Sequence, residues 1–179
     1  MDNFIYEYKT KVIFGNGSAK NNLGNELEKY GKNIMVAYGG GSIKANGIYQ
    51  EVIDILNKAG KTVIDFSGIM SNPTYAKVQD GAKLAKEKNV DFILAVGGGS
   101  VIDCCKIICA QACSDEDIWT MEFEKGQLPA KMLPMGAIVT ASGTGAEMNC
   151  GAVITNEEKN ILNNYSFTNY IDGFCYLFY

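Results

Sequence analysis

Histidine is absent from the 179 residues. That removes every Ser-His-Asp or Cys-His pair, and every histidine-ligated iron or zinc, from what this chain can assemble by itself. No run of 18 apolar residues occurs either, so no transmembrane helix is expected. The start, Met1-Asp2-Asn3-Phe4, lacks the basic region and following apolar run of a secretory leader, and none is expected. Excess positive charge is lacking too. Sixteen basic residues face 20 acidic ones, the net charge is -4 and the isoelectric point is near 4.9, which excludes a basic nucleic-acid footprint. Proline is scarce at 3 residues, and the 20 glycines stand in short clusters without a period. Collagen-like chains and flexible linkers are thereby excluded.

What is present suits a folded domain. Apolar residues make up 47% and charged residues 20%, which is incompatible with a wholly disordered chain. The length suits one domain of roughly 100–150 residues plus a remainder. Such a chain buries somewhat more than ~65% of the surface it exposes when unfolded. Four of the 6 cysteines, Cys104, Cys105, Cys109 and Cys113, fall inside one expected helix, whereas a secreted disulfide scaffold spreads them among loops. They read as reduced thiols of a cytoplasmic protein. Cys105, Cys109 and Cys113 recur every four residues on one helix face, which makes a soft-metal site conceivable. Packing of small side chains against a sheet is the plainer reading.

Strand and helix patterns alternate along the chain. Residues 11–14 predict a strand ending at Gly15-Asn16-Gly17, and Ser18 predicts the cap of a helix over 19–30 that stops at Gly31. Strands follow at 34–38, 62–66 and 92–96. Helices are expected over 45–59, 74–88 and 101–113. The three strands carry apolar residues on both faces, as strands covered by helices should. The resulting fold class is α/β, a Rossmann-like parallel sheet flanked by helices. Beyond 113 the pattern loosens, with a polar loop over 124–131, an apolar run over 133–139, a small-residue loop over 140–147 and a last strand over 150–155. Residues 161–179 carry seven aromatics and one charge, Asp172, with no clean period. They read either as cover for a sheet edge or as an end without regular structure, the second being preferred. The expected organisation is thus a domain over 1–160 and a tail over 161–179.

Two Gly-Gly-Gly-Ser turns, Gly39–Ser42 and Gly97–Ser100, each follow an expected parallel strand and lead toward a helix. Such turns bring backbone N–H groups and a helix dipole to an anion, and a pyrophosphate between them is the natural ligand. Neither matches G-x-G-x-x-G or the Walker A pattern, so tight strand-to-helix turns without a ligand remain the alternative. Asp103 can cap the helix that follows, orient the turn or touch a cofactor amide. Thr140 and Thr144 can hydrogen-bond phosphate or nicotinamide from a loop kept close by Gly143 and Gly145. No acidic residue stands where a ribose diol needs one. Ser42 is there, with Lys44 close by, which leans toward NADP(H) over NAD(H). No general base stands out.

The stretches Thr10–Gly15, Tyr38–Lys44, Asn72-Pro73, Asp91–Asp103 with Lys106, and Thr144–Asn149 together resemble the iron-containing (group III) alcohol dehydrogenases of the butanol-dehydrogenase branch, over roughly residues 4–159. The resemblance implies the N-terminal NAD(P)-binding domain of the dehydroquinate synthase-like fold. It implies Gly98, Gly99 and Ser100 as the pyrophosphate loop, and Asp103 as the helix aspartate near the nicotinamide side. Thr140 and Thr144 are implied as cofactor-contacting threonines, and Gly40, Gly41 and Ser42 as the adenosine-ribose end in its NADPH-linked form. Asn72 and Pro73 are implied as the loop bordering the same cleft. The family holds iron or zinc through one aspartate and three histidines of a helical domain. No residue here matches those ligands, so no metal and no catalytic residue is assigned to this chain. Lys9 stands where the family has proline, and Cys104-Cys105 where it has Ala-Ala. The implied activity is interconversion of a primary alcohol and its aldehyde by hydride transfer with NAD(P), the metal polarising the alcohol oxygen. This chain alone is expected to be inactive. The alternatives are a stand-alone nucleotide-binding module or an interaction fragment. A homodimer is the implied assembly, with no membrane or nucleic-acid partner.

Overall fold

The computed structural model describes residues 10–159, 161–166 and 173–177. The departure at Lys9 lies outside them. The strands are β1 (Lys11–Phe14), β2 (Asn33–Tyr38), β3 (Thr62–Phe66), β4 (Phe92–Gly97), β5 (Met135–Val139), β6 (Gly151–Asn156), β7 (Ile161–Ser166) and β8 (Gly173–Leu177). The helices are α1 (Ser18–Glu26), α2 (Ser42–Ala45), α3 (Ile48–Lys58), α4 (Tyr75–Glu87) and α5 (Gly99–Ala112). Six strands form one parallel sheet in the order β1-β8-β5-β4-β2-β3, while β6 and β7 form a separate antiparallel pair. Among the described residues no helix is long and apolar enough to cross a membrane.

The apolar strands are explained by two cores, one on each face of the sheet. Ile34, Val36 and Tyr38 of β2 and Phe92, Leu94 and Val96 of β4 pack with Leu23 of α1 and Val52 and Leu56 of α3. The intervening Met35, Ala37, Ile93 and Ala95 pack on the other side with Val78 and Ala85 of α4 and with Ile107 and Ile108 of α5. Successive strand residues point to opposite faces, so a strand covered on both sides needs apolar residues at every position. Cys104, Cys105 and Cys109 belong to the second core and are fully buried. Burial pushes the Cys104 thiol up to about 12 and raises Cys105 and Cys109 well above the ordinary thiol value.

Three helix boundaries differ from the sequence expectation. Helix α1 begins at Ser18 itself, with Gly17 as its left-handed cap, and ends at Glu26 rather than at residue 30. The turn that follows it is held by a distant side chain: the Lys61 ammonium donates to the carbonyls of the cap residue Leu27 and of Tyr30 and Gly31 at 2.7, 2.9 and 3.1 Å. The helix expected over 45–59 is divided into α2 and α3 by Gly47 at φ 84°. Helix α5 starts at Gly99, two residues earlier than the expected 101. Helix α4 lies within the expected 74–88 and is capped by Thr74, whose hydroxyl accepts from the Lys77 N–H at 3.3 Å.

The patternless reading of residues 161–179 gives way to two strands. β7 pairs antiparallel with β6, and β8 lies inside the main sheet, parallel to both β5 and β1. β8 therefore fills the sheet instead of covering its edge, while β7 belongs to the separate pair. The β6–β7 pair is fastened to the rest through the Thr155 N–H, which donates to the Pro73 carbonyl at 3.0 Å, and through Ala152 and Ile154, buried in the same core as α5.

Candidate functional site

The sheet order places a ligand crevice before any side chain is considered. From β2 the chain runs outward to β3, then returns to form β4 on the opposite side of β2. The carboxyl ends of β2 and β4 therefore flank a topological switch point, where open α/β sheets bind their ligands. Both glycine turns lie at this point. They line one cleft of about 500 Å³ with Gly40, Gly41 and Ser42 on one side, Gly98, Gly99 and Ser100 on the other, and Thr140 beside them. A larger hollow of about 840 Å³ between α1 and α3 lies on the outer face and holds none of the candidate residues.

The backbone at the cleft is set for an anion. The N–H groups of Val101 and Ile102 both turn back to the Gly98 carbonyl, at 3.0 and 3.2 Å. Gly99 and Ser100 precede them in the first turn of α5, where helical N–H groups have no carbonyl within the helix to bond. Two of the glycines are not there for the sake of the chain. Gly98 has φ -90° and ψ -170°, which any residue adopts, and a Cβ on it would stand an ordinary 3.7 Å from the Ala141 Cβ. A Cβ on Gly40 would meet nothing within 4 Å. Space is left open at both positions beside the backbone. Gly41, at φ 136°, is different, because the start of α2 needs that conformation.

The remaining candidates lie around this cleft rather than in its wall. Thr144 adjoins the second turn: a Cβ on Gly99 would be 3.4 Å from its Oγ1. Asn72, at φ 53°, and Pro73 follow Ser71, which lines the cleft, and the Pro73 carbonyl is taken by Thr155. Asp103 does not cap α5, whose cap is Gly98 without a side-chain bond. Its Oδ2 accepts from the Val153 N–H at 3.1 Å, and its Oδ1 lies 3.5 Å from the Lys106 Nζ. Its place is between α5 and β6.

Two groups near the site carry more than the sequence disclosed. Lys106 is 1% exposed in the middle of an apolar helix, and its ammonium also donates to Asn149 Oδ1 at 3.2 Å and to the Gly151 carbonyl. Burial lowers its affinity for the proton, against the pull of Asp103. The second group stands at the end of β2 and β3. The hydroxyls of Tyr38 and Tyr49 donate to the two oxygens of Asp65, both at 2.8 Å. The Lys44 ammonium lies 5.1 Å from the Tyr38 ring centre and 4.7 Å from that of Tyr49. The Tyr38 hydroxyl beside it, and then Asp65, raise Lys44 above the ordinary lysine value. Burial, followed by Asp65, pushes the Tyr49 phenol up to about 12. An Asp-x-x-Lys pair inside an apolar helix was the available signal for Lys106. The cluster around Asp65 joins three elements and had none. Among the described residues no group of three or more histidine, cysteine, aspartate or glutamate side chains is arranged to hold a metal ion.

The family model described as iron-containing alcohol dehydrogenase matches residues 9–171. The chain is 51% identical over 158 residues to the probable NADH-dependent butanol dehydrogenase 1 of Bacillus subtilis, covering 88% of this chain and 40% of that protein. It is 43% identical over 160 residues to the NADH-dependent butanol dehydrogenase A of Clostridium acetobutylicum, covering 89% of this chain and 41% of the relative. The crystal structure of NADH-dependent butanol dehydrogenase A from Thermotoga maritima superposes with a TM-score of 0.90 at 37% identity, covering 98% of this chain and 44% of that one. The chain thus spans about 40% of the length of the curated relatives it matches.

These relatives overturn the preference for NADP(H) drawn from Ser42 and Lys44, since each is named NADH-dependent. In the structure Lys44, one of the two residues behind that preference, is seated over two tyrosine rings whose hydroxyls donate to a carboxylate.

Proposed function

We propose, because the chain belongs to the iron-containing alcohol dehydrogenase family, that the cleft between β2 and β4 binds NAD(H) for the interconversion of a primary alcohol and its aldehyde. The family match and the two glycine turns at the switch point support this reading. The observation that carries it is the pair Gly40 and Gly98. Both are glycines in ordinary space and without conformational need, and close approach of a ligand to the backbone accounts for them.

In this reading the first-turn N–H groups of Gly99 and Ser100, aided by the α5 dipole, take the pyrophosphate. Gly40, Gly41 and Ser42 border the adenosine ribose. Thr140 and Thr144 reach the phosphate or the nicotinamide side, with Asn72 and Pro73 at the rim. Asp103 acts at one remove, by holding Val153 and Lys106 behind the turn. The bound nicotinamide supplies the hydride chemistry, and the protein supplies its orientation. The described residues do not fit the metal of the family, so no metal-dependent step is assigned to them.

Titration of the purified chain with NADH, following nicotinamide fluorescence and thermal melting together, tests the reading. Saturable binding with a raised melting temperature is the expected result. A cooperatively folded chain that binds neither NADH nor ADP-ribose overturns it.

A further inference from the structure

We infer that Asp65, with Tyr38, Tyr49 and Lys44, sets the preference of the adenosine end of the cleft for a free 2′-hydroxyl over a 2′-phosphate. The inference rests on the cofactor reading above and deepens it. Lys44 lies in the same short helix as Ser42, which lines the cleft, and it is the cation nearest to Ser42 in sequence. An exposed lysine at that place is an obvious partner for a phosphate. Its surroundings hold it elsewhere. The ammonium is seated over the rings of Tyr38 and Tyr49, 5.1 and 4.7 Å from their centres. Both hydroxyls of those rings are turned to Asp65, at 2.8 Å each. Three elements hold the arrangement: Tyr38 from β2, Tyr49 from α3 and Asp65 from β3.

Two consequences for a ligand follow. To meet a 2′-phosphate, Lys44 must leave two aromatic faces, and a cation over an aromatic face is held by the ring quadrupole. A phosphate that meets Lys44 at its seat is also brought toward the carboxylate of Asp65, which accepts from both of those tyrosines, and an uncharged ribose diol meets no such repulsion. The positive charge of Lys44 and the negative charge of Asp65 then nearly cancel at this end of the cleft. Neither residue need touch the ribose for this to hold. They act through the local charge and are specificity determinants rather than catalytic residues.

The test compares ADP-ribose with 2′-phospho-ADP-ribose by titration calorimetry on the 179-residue chain. These probes report the adenosine end alone. The wild type is expected to favour ADP-ribose. Asp65→Asn should move the affinity ratio about 3–5-fold toward the 2′-phosphorylated probe, and Lys44→Ala should move it by a similar factor the other way. Both shifts should shrink at about 0.5 M salt, as interactions between exposed charges do. Lys83→Ala, on the distant exposed face of α4, removes an equal charge and should leave the ratio where it was. Loss of fold in Asp65→Asn would weaken both probes alike, and the exposed Lys44→Ala variant still reports the ratio. Ratios within twofold of wild type in both variants overturn the inference while leaving the cofactor reading in place, and a wild type that favours the 2′-phosphorylated probe overturns the inference and the choice of NAD(H), leaving only a dinucleotide site in the cleft. A wild type that binds neither probe overturns both.

Discussion

The ammonium of Lys106 donates to the carbonyl of Gly151, 45 positions further along the chain, and so ties the middle of α5 to the first residue of β6. Asn149 Oδ1 at 3.2 Å and Asp103 Oδ1 at 3.5 Å complete its surroundings. Replacing it by methionine keeps most of the volume and removes the charge. Asp103 then keeps only the Val153 N–H among these partners, and the Gly151 carbonyl loses its donor. Lys106→Met is expected to lower stability by about 2–3 kcal/mol, measured as a shift in the urea midpoint at unchanged slope.

Alkaline pH should unfold the protein through its buried thiols. An unfolded thiol ionises near 9.0, whereas Cys104 in the fold does so near 12, and Cys105 and Cys109 are held well above 9.0 as well. Below 9.0 both states keep the proton and these groups contribute nothing. Above it the unfolded state releases protons that the folded state retains, so stability falls by about 1.4 kcal/mol per pH unit for each thiol. Lys106 acts in the opposite sense. Its folded value is lowered, so the unfolded state holds more protons up to 10.5 and stability rises over that interval. Three thiols outweigh one amine. Urea midpoints measured from pH 8 to 10.5 should decline, and Cys109→Ala should make the decline shallower.

Gly98→Ala separates ligand space from structural need. The backbone there accepts any residue, and the added carbon stands 3.7 Å from Ala141. Stability should change by less than about 1 kcal/mol, the usual range for changing a helix cap from glycine to alanine. Binding of NADH should weaken by about tenfold. Thermal melting with and without NADH reads both effects in one experiment.

Gly81→Ala should behave in the reverse manner. A Cβ at Gly81 would lie 2.4 Å from Ile108 Cδ1 and 3.0 Å from Phe66 Cζ, where α4 crosses α5. Alanine improves helix propensity by about 1 kcal/mol, but overpacking a closed core costs about 1–3 kcal/mol. The net expectation is a loss of about 1–2 kcal/mol. Adding Ile108→Val removes the clashing methyl, so the double variant should lose less than the two single losses added together.

Much of this molecule was legible in its sequence because parallel strands buried on both faces have a simple signature. The runs at 34–38, 62–66 and 92–96 match strands of the sheet, and the helix expected over 74–88 matches α4 to within a residue at each end. The two glycine turns were visible for the same reason, as breaks at strand ends. What stayed hidden depends on partners far along the chain. The turn after α1 is held by Lys61, Asp103 is engaged by Val153, and Lys44 is seated beside Tyr49 and Asp65. Residues 161–166 and 173–177 are strands by virtue of β6, β5 and β1, without a pattern of their own to announce it.

The place of β8 has a consequence for how this sheet comes into being. Its two neighbours are β5 and β1, and among the described residues β8 is the only partner β1 has in the sheet. The register Lys11 to Phe174 joins segments far apart in the sequence. β2, β3, β4 and β5 can zip together early from nearby pieces, but β1 must wait for the distant β8 to slot in beside it. Closing so long a loop is slow, because its entropy is lost before any contact repays it. Until β8 is in place Val12 and Phe14, 40% and 65% exposed even in the finished sheet, would be open to chaperones and to neighbouring chains.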